Sequence, residues 1–168
     1  MAGALIVTAA IGAADLAWLN RLRQAHYPGD RNHVPAHLTI FHALPPSAES
    51  EVRQRVSQCA RGPRPRARIE GLMDLGGGVA FRVVSEDLDA LREALAEDLH
   101  GLLGAQDARG WRPHVTIQNK VAPKEARALI AALQRDFVTR PLAIKGLELH
   151  RYLDPGWERL AAFPFQQA

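Results

Sequence analysis

The chain predicts an α+β domain, and three observations carry that expectation. Short apolar stretches bounded by Gly and Pro alternate with longer stretches of helical periodicity, in the order β-α-β-α-β-β-α-β-α-β-β. Two pairs of neighbouring strands are joined by short turns, Gly76-Gly77-Gly78 and Asp154-Pro155-Gly156, which favours antiparallel or mixed pairing with helices on one side. The composition, 47% hydrophobic and 23% charged over 168 residues, suits one domain or two small lobes sharing a core, and excludes wholesale disorder.

The elements follow in order. Ala4 to Ile11 is an almost wholly apolar run closed by Gly12, a buried first strand. The wider apolar start, Ala2 to Ala14, has no basic segment ahead of it, is interrupted by Asp15, and falls short of the roughly 18 residues of a membrane helix. Asp15 to Tyr27 carries Leu16, Leu19 and Leu22 at helical spacing and stops at Pro28-Gly29-Asp30. A short strand is expected from His37 to Leu44, ended by Pro45-Pro46. Ser47 then caps a helix whose inner face is Val52, Val56 and Cys59. A strand lies within Arg61–Gly78, entering through Pro63 and Pro65, and Val79, Phe81 and Val83 alternate in the next. Ser85 caps a helix with Leu88, Leu91, Leu95, Leu99 and Leu102 on one stripe. A strand spans His114 to Lys120. Pro123 opens a helix with Ala126, Leu129, Ile130, Leu133 and Phe137 inward. Strands near Leu142–Tyr152 and Trp157–Phe163 finish the chain.

Charge and cysteine usage narrow the function classes. The formal net charge is only +3, too little for a nucleic-acid arm, but 18 of the 21 cations are Arg, the side chain shaped for paired contacts to phosphate. The single cysteine, Cys59, excludes a disulfide framework and a thiolate zinc site, and fits a reducing, cytoplasmic setting.

Two strands carry the chemistry. They read His37-Leu38-Thr39-Ile40 and His114-Val115-Thr116-Ile117. Strand side chains alternate faces, so in each the His and Thr share one face while the apolar pair anchors the other. With seven His and four Thr in the chain, about 0.2 His-x-Thr triplets are expected by chance, and two occur. Two imidazoles supply a base and an acid near neutral pH, and two hydroxyls offer donors for non-bridging phosphate oxygens. That is what cleavage of a phosphodiester requires.

These motifs, with Arg112-Pro113 ahead of the second, resemble the paired HxTx motifs of the 2H phosphoesterase superfamily, most closely its bacterial 2′-5′ RNA ligase and cyclic phosphodiesterase branch. The resemblance takes in the opening strand and helix, both motifs and the Trp157–Phe165 ending. It implies one bilobal domain over 1–168, with two antiparallel or mixed sheets related by a pseudo-twofold, helices on the outer faces and an active-site cleft between the lobes. It further implies catalytic residues His37, Thr39, His114 and Thr116, with His37 as acid and His114 as base, and neither metal nor nucleotide cofactor. The implied activity is opening of a 2′,3′-cyclic phosphate or a related RNA end. The alternatives are reversible 2′-5′ RNA ligation at the same site and RNA-end binding without turnover. The expected partner is an RNA end or cyclic nucleotide; no membrane or protein partner is inferred, and the chain is expected to be a monomer.

Parity extends the site. Phe41 continues the His37 face and is a candidate for stacking a nucleobase, with core packing as the alternative. Gln118 and Lys120 continue the His114 face, and Arg112 precedes it with the same parity; all three are candidates for substrate binding. Other features carry less. Pro35 between His33 and His37 breaks any helix that would pair them on a metal. His42 reads as packed, and His26, His100 and His150 suggest nothing specific. Arg64, Arg66 and Arg68 line one strand face and read as a solvated edge strand, with an RNA track as the alternative.

Overall fold

Every residue of the first strand, β1 (Leu5–Ile11), is buried, because it has a neighbour on each edge and cover on both faces. Its neighbours are β2 (Leu38–Leu44) and β6 (Arg140–Tyr152), both antiparallel to it. This computed structural model describes residues 3–166. Seven antiparallel strands form one open sheet in the order β2-β1-β6-β3-β4-β5, with β3 (Arg66–Asp74), β4 (Val79–Val84) and β5 (His114–Gln118) in one half. The last strand, β7 (Trp157–Pro164), also pairs with β6. β6 joins the halves: its residues Arg140–Ala143 pair with β3, and the rest pairs with β1 and β7.

The element order expected from the sequence is the order observed, apart from a short added helix around Asp107 where a loop is expected, and the protein is α+β. Helices α1 (Ala13–His26), α2 (Glu49–Cys59), α3 (Glu86–Asp98) and α5 (Pro123–Gln134) contribute Leu19, Val52, Val56, Leu88, Leu95, Ala126 and Leu129 to one core. That core is shared with Leu5, Val7, Leu147 and Leu149 of one half-sheet and Ile69, Phe81, Val83 and Val115 of the other. On the opposite face β1 presents Ile6, Thr8 and Ala10, all buried. A short helix, α4 (Ala105–Ala108), packs beside β2. Among the described residues no helix is long and apolar enough to cross a membrane.

Local chemistry sets the element ends. Ser85 caps α3 as expected: its hydroxyl accepts the Leu88 amide at 3.0 Å and donates to the Arg66 carbonyl at 2.6 Å. Ser47 does not cap α2. Pro46, with φ already helical, starts a 3-10 turn over Pro46–Ala48, so Ala48 occupies the cap position and Ser47 lies one residue too early. β3 begins only at Arg66, since Pro63 and Pro65 cannot donate to a ladder. Nor is β3 an edge strand, for it pairs with both β4 and β6. Its arginines are tolerated there on the open face, Arg66 facing Asp87 and Arg68 facing Glu70. The β3–β4 hairpin closes through Gly76 at φ +84°, and Gly78 admits β5, since a Cβ there would stand 2.0 Å from the Gln118 carbonyl oxygen.

Candidate active site

Both motif strands bulge at the same point. Along β1 and β2 the register runs Ala9 to Leu38 and Thr8 to Thr39, then skips to Val7 opposite Phe41. Along β4 and β5 it runs Phe81 to Val115 and Ala80 to Thr116, then skips to Val79 opposite Gln118. In each strand one residue is inserted after the Thr, so two consecutive side chains turn to the core. Ile40 and Phe41 are both 0% exposed, and Ile117 and Gln118 are 0% and 3% exposed.

The bulge corrects two expectations from parity. Phe41 does not share the His37 face: its ring lies in the core with the Arg92 guanidinium 4.4 Å above it. Gln118 is likewise turned inward, and its Oε1 has no hydrogen-bond partner. Lys120 lies beyond the end of β5, exposed, at φ +64°, so strand parity does not govern it. Arg112 is exposed, and its carbonyl, rather than its guanidinium, is engaged with the motif.

The two histidines are fixed in the same way. His37 Nδ1 donates to the Pro35 carbonyl at 2.8 Å, and His114 Nδ1 donates to the Arg112 carbonyl at 2.7 Å. A carbonyl only accepts, so each Nδ1 carries a proton and each Nε2 is left unengaged by these bonds. Each motif backbone is held from outside its own ladder. The Thr39 carbonyl accepts from Trp111 Nε1 at 3.0 Å, and the Ile40 carbonyl accepts from Arg92 Nε at 3.3 Å. The Thr116 carbonyl accepts from Arg23 Nη1 at 2.8 Å, while Asn32 Oδ1 accepts from the same guanidinium at 3.0 and 3.1 Å. Helix α1 of the first half thus holds the second motif, and α3 of the second half holds the first.

Further groups surround His37. Thr39 lies opposite Thr8, and Thr8 lies opposite Glu148, so the three share one face. Two residues on from Glu148, His150 accepts or donates a 2.9 Å hydrogen bond between its Nε2 and Thr8 Oγ1; its Nδ1 is buried without a partner. The His150 ring stacks on Trp157 at 4.4 Å, and Trp157 meets the His37 ring edge-on at 4.7 Å. Packed this way, though still part-exposed, His37 is pushed down to about 4, chiefly by desolvation. The charges of Arg23, His150 and His114 act in the same direction, and the bond to Pro35 opposes it. His150 is also lowered, by burial first, with Glu148 opposing and Arg159 assisting.

Sequence reasoning missed several of these groups. His150 had a signal: Thr8 is the one polar side chain in a buried apolar strand and needs a partner. Arg23, Arg92 and Asp107 look like ordinary helix or loop charges in sequence, yet are 3%, 8% and 2% exposed. Asp107 accepts the His42 and Ala43 amides at 2.8 and 3.0 Å and His42 Nδ1 at 3.1 Å. Burial would raise its carboxyl, but these bonds outweigh that and hold it below the usual value. No group of three or more His, Cys, Asp or Glu able to hold a metal ion occurs among the described residues. A groove on the helix-bearing side, lined by Trp18, Leu22, Phe81, Leu133 and Phe137, includes none of the motif residues.

Comparison with known proteins bears on this arrangement. The family model described as the 2′-5′ RNA ligase superfamily matches residues 12–156. In structure the chain is similar to TT0787 of Thermus thermophilus, at 19% identity and a TM-score of 0.69, covering 98% of both chains. It is also similar to E. coli LigT complexed with 3′-AMP, at 15% identity and a TM-score of 0.65, covering 99% of this chain and 100% of that one. LigT has likewise been crystallised with ATP, a structure matched at 14% identity and a TM-score of 0.58 over 99% of this chain and 100% of that one. No curated protein matches the chain in sequence. At these identities the structural likenesses establish the fold.

Proposed function

Because the chain belongs to the 2′-5′ RNA ligase superfamily, we propose that it is a metal-independent phosphodiesterase that opens a 2′,3′-cyclic phosphate at an RNA end by two-histidine acid–base catalysis. The observation that carries this reading is the matched fixing of two imidazoles, each with Nδ1 committed to the carbonyl two residues back and Nε2 left to exchange a proton. One Nε2 takes the proton of an attacking water as its oxygen bonds to phosphorus. The other gives a proton to the ribose oxygen that leaves, so a phosphomonoester and a free hydroxyl result. Thr39 and Thr116 donate to the non-bridging oxygens, where charge gathers in the transition state. The site belongs to a single domain over 1–168, two lobes about an approximate twofold, acting in the cytoplasm as a monomer. The paired bulges and crossed supports are what favour that symmetry.

Electrostatics favours one division of roles: His37, lowered to about 4, is neutral at neutral pH and suits the base, which leaves the acid role to His114. This reverses the assignment that the resemblance implies.

Ligation is the second reading, favoured by the description of the matching family. It is the same proton exchange with a hydroxyl of a second RNA strand, in place of water, attacking the cyclic phosphate. The test is a screen of 2′,3′-cyclic nucleotides and RNA ends bearing a cyclic phosphate, with the position of the product phosphate determined. Hydrolysis to one phosphomonoester is the expected result. A joined strand identifies the ligase, and binding without turnover identifies a recognition module.

A further inference from the structure

On β4, Arg82 is the register partner of His114 on β5, so the two side chains leave the same face with Cβ atoms about 5 Å apart. Arg82 then leans away from β5. Its guanidinium lies over Gly71 of β3, where an added Cβ would stand 3.3 Å from Nη2. Glycine inside a strand weakens it and often marks a place kept clear for another group; here that group is the guanidinium. Among the described residues its hydrogen bonding is a single long contact, 3.5 Å from Nη2 to the Glu70 carbonyl, and it faces no carboxylate. The other arginines of the described strands differ: Arg66, Arg68, Arg140, Arg151 and Arg159 face Asp87, Glu70, Asp15, Glu49 and Glu148. Arg82 is therefore an exposed, uncompensated fork on the His114 face, held by packing rather than by a counter-ion.

Its distance from the motif decides what it can hold. A guanidinium over β3 lies two strand spacings from β5, about 10 Å, too far for the phosphate that His114 serves. A different phosphate meets it. We propose that Arg82 forms a second phosphate subsite, binding the backbone phosphate next to the reacting one, so that the substrate class is an oligonucleotide end rather than a free cyclic mononucleotide; this rests on the phosphodiesterase reading above.

The test compares wild type with Arg82→Ala and Arg82→Lys on two substrates, a 2′,3′-cyclic mononucleotide and a short oligoribonucleotide ending in a 2′,3′-cyclic phosphate, over a range of salt. Arg82→Ala is expected to raise KM for the oligonucleotide about tenfold with kcat unchanged, and to lower the salt slope of binding by about one. KM for the mononucleotide should not move, and Arg82→Lys should recover part of the loss. Unchanged oligonucleotide KM and salt slope would overturn the subsite. So would equal weakening on the mononucleotide, which would assign Arg82 to the reacting phosphate. If wild type turns over neither substrate, the phosphodiesterase reading fails and the subsite is judged by fluorescence anisotropy with the same oligonucleotide. There a tenfold loss on Arg82→Ala supports it, and no loss, or no binding by wild type, overturns it.

Discussion

An imidazole whose Nδ1 is tied to a carbonyl does its acid–base work at Nε2 alone, and here two histidines are tied alike. Replacing either His37 or His114 by Ala is expected to lower kcat by roughly 10²–10⁴-fold, while Thr39→Ala and Thr116→Ala each lose one phosphoryl hydrogen bond and cost less. The pH profile of kcat/KM should be bell-shaped with its acid limb near 4, where His37 titrates in the free protein. Either assignment of roles gives the same bell, because both need one proton on the pair. The leaving group separates them. An aryl phosphodiester with an acidic phenol needs little protonation, so it should restore much of the loss in the variant lacking the acid. With His114 as acid, His114→Ala is rescued and His37→Ala is not; the opposite pattern would return the acid role to His37. Turnover measured in EDTA should equal turnover without it, and a loss restored by a divalent ion would refute the metal-independent mechanism. These four motif residues were readable because the pattern occurs twice. His150 and Trp157 were not, since only the pairing of β1, β6 and β7 brings distant strand ends to His37.

Alternation along a strand identified the faces of His37, Thr39, His114 and Thr116, and failed at the next position in both strands. The inserted residue after each Thr reverses parity, which is why Phe41 and Gln118 lie in the core. Nothing local in either tetrapeptide signals a bulge; it follows from the partner strand's register. A bulged strand has carbonyls that its ladder does not fully use, and those of Thr39, Ile40 and Thr116 are taken by Trp111, Arg92 and Arg23. Hydrogen bonds from a charged donor contribute about 1.5–3 kcal/mol each. Arg23→Met and Arg92→Met should therefore each lower unfolding free energy by a few kcal/mol, read as a lower urea midpoint at unchanged slope. Both should also lower kcat at fixed pH, since each loosens the motif strand of the other half. A variant that loses stability while keeping kcat in the remaining folded protein would show that the arginines support the fold without positioning the site.

At the scale of the molecule, β6 makes the two halves one sheet, and a charge that the site cannot hold becomes a charge the fold must bear. The expected order of elements, the antiparallel pairing and the helix stripes were readable because periodicity and turn chemistry are local. The role of β6 was not, because one strand serving β3, β1 and β7 is a property of the assembled sheet. The pH dependence of stability follows from this arrangement. His37 goes from 6.5 when unfolded to about 4 when folded, so between those values the unfolded chain binds a proton that the folded protein refuses. Stability rises with pH wherever the unfolded state holds more protons, so it is lost as pH falls from about 6.5 to about 4. His150 is lowered as well and acts in the same direction. Asp107, a carboxyl lowered from 3.8, adds a loss at more acid pH, as protonation removes the acceptor of the His42 and Ala43 amides. The expected curve of Tm against pH is level near neutrality, declines below about 6.5 and keeps declining below 4. In His37→Phe, whose ring can still meet Trp157 but cannot titrate, the decline between 6.5 and 4 should be shallower and the more acid limb unchanged. Identical slopes for that variant and wild type would mean that His37 titrates normally in the folded protein. The electrostatic ground for making it the base would then be gone.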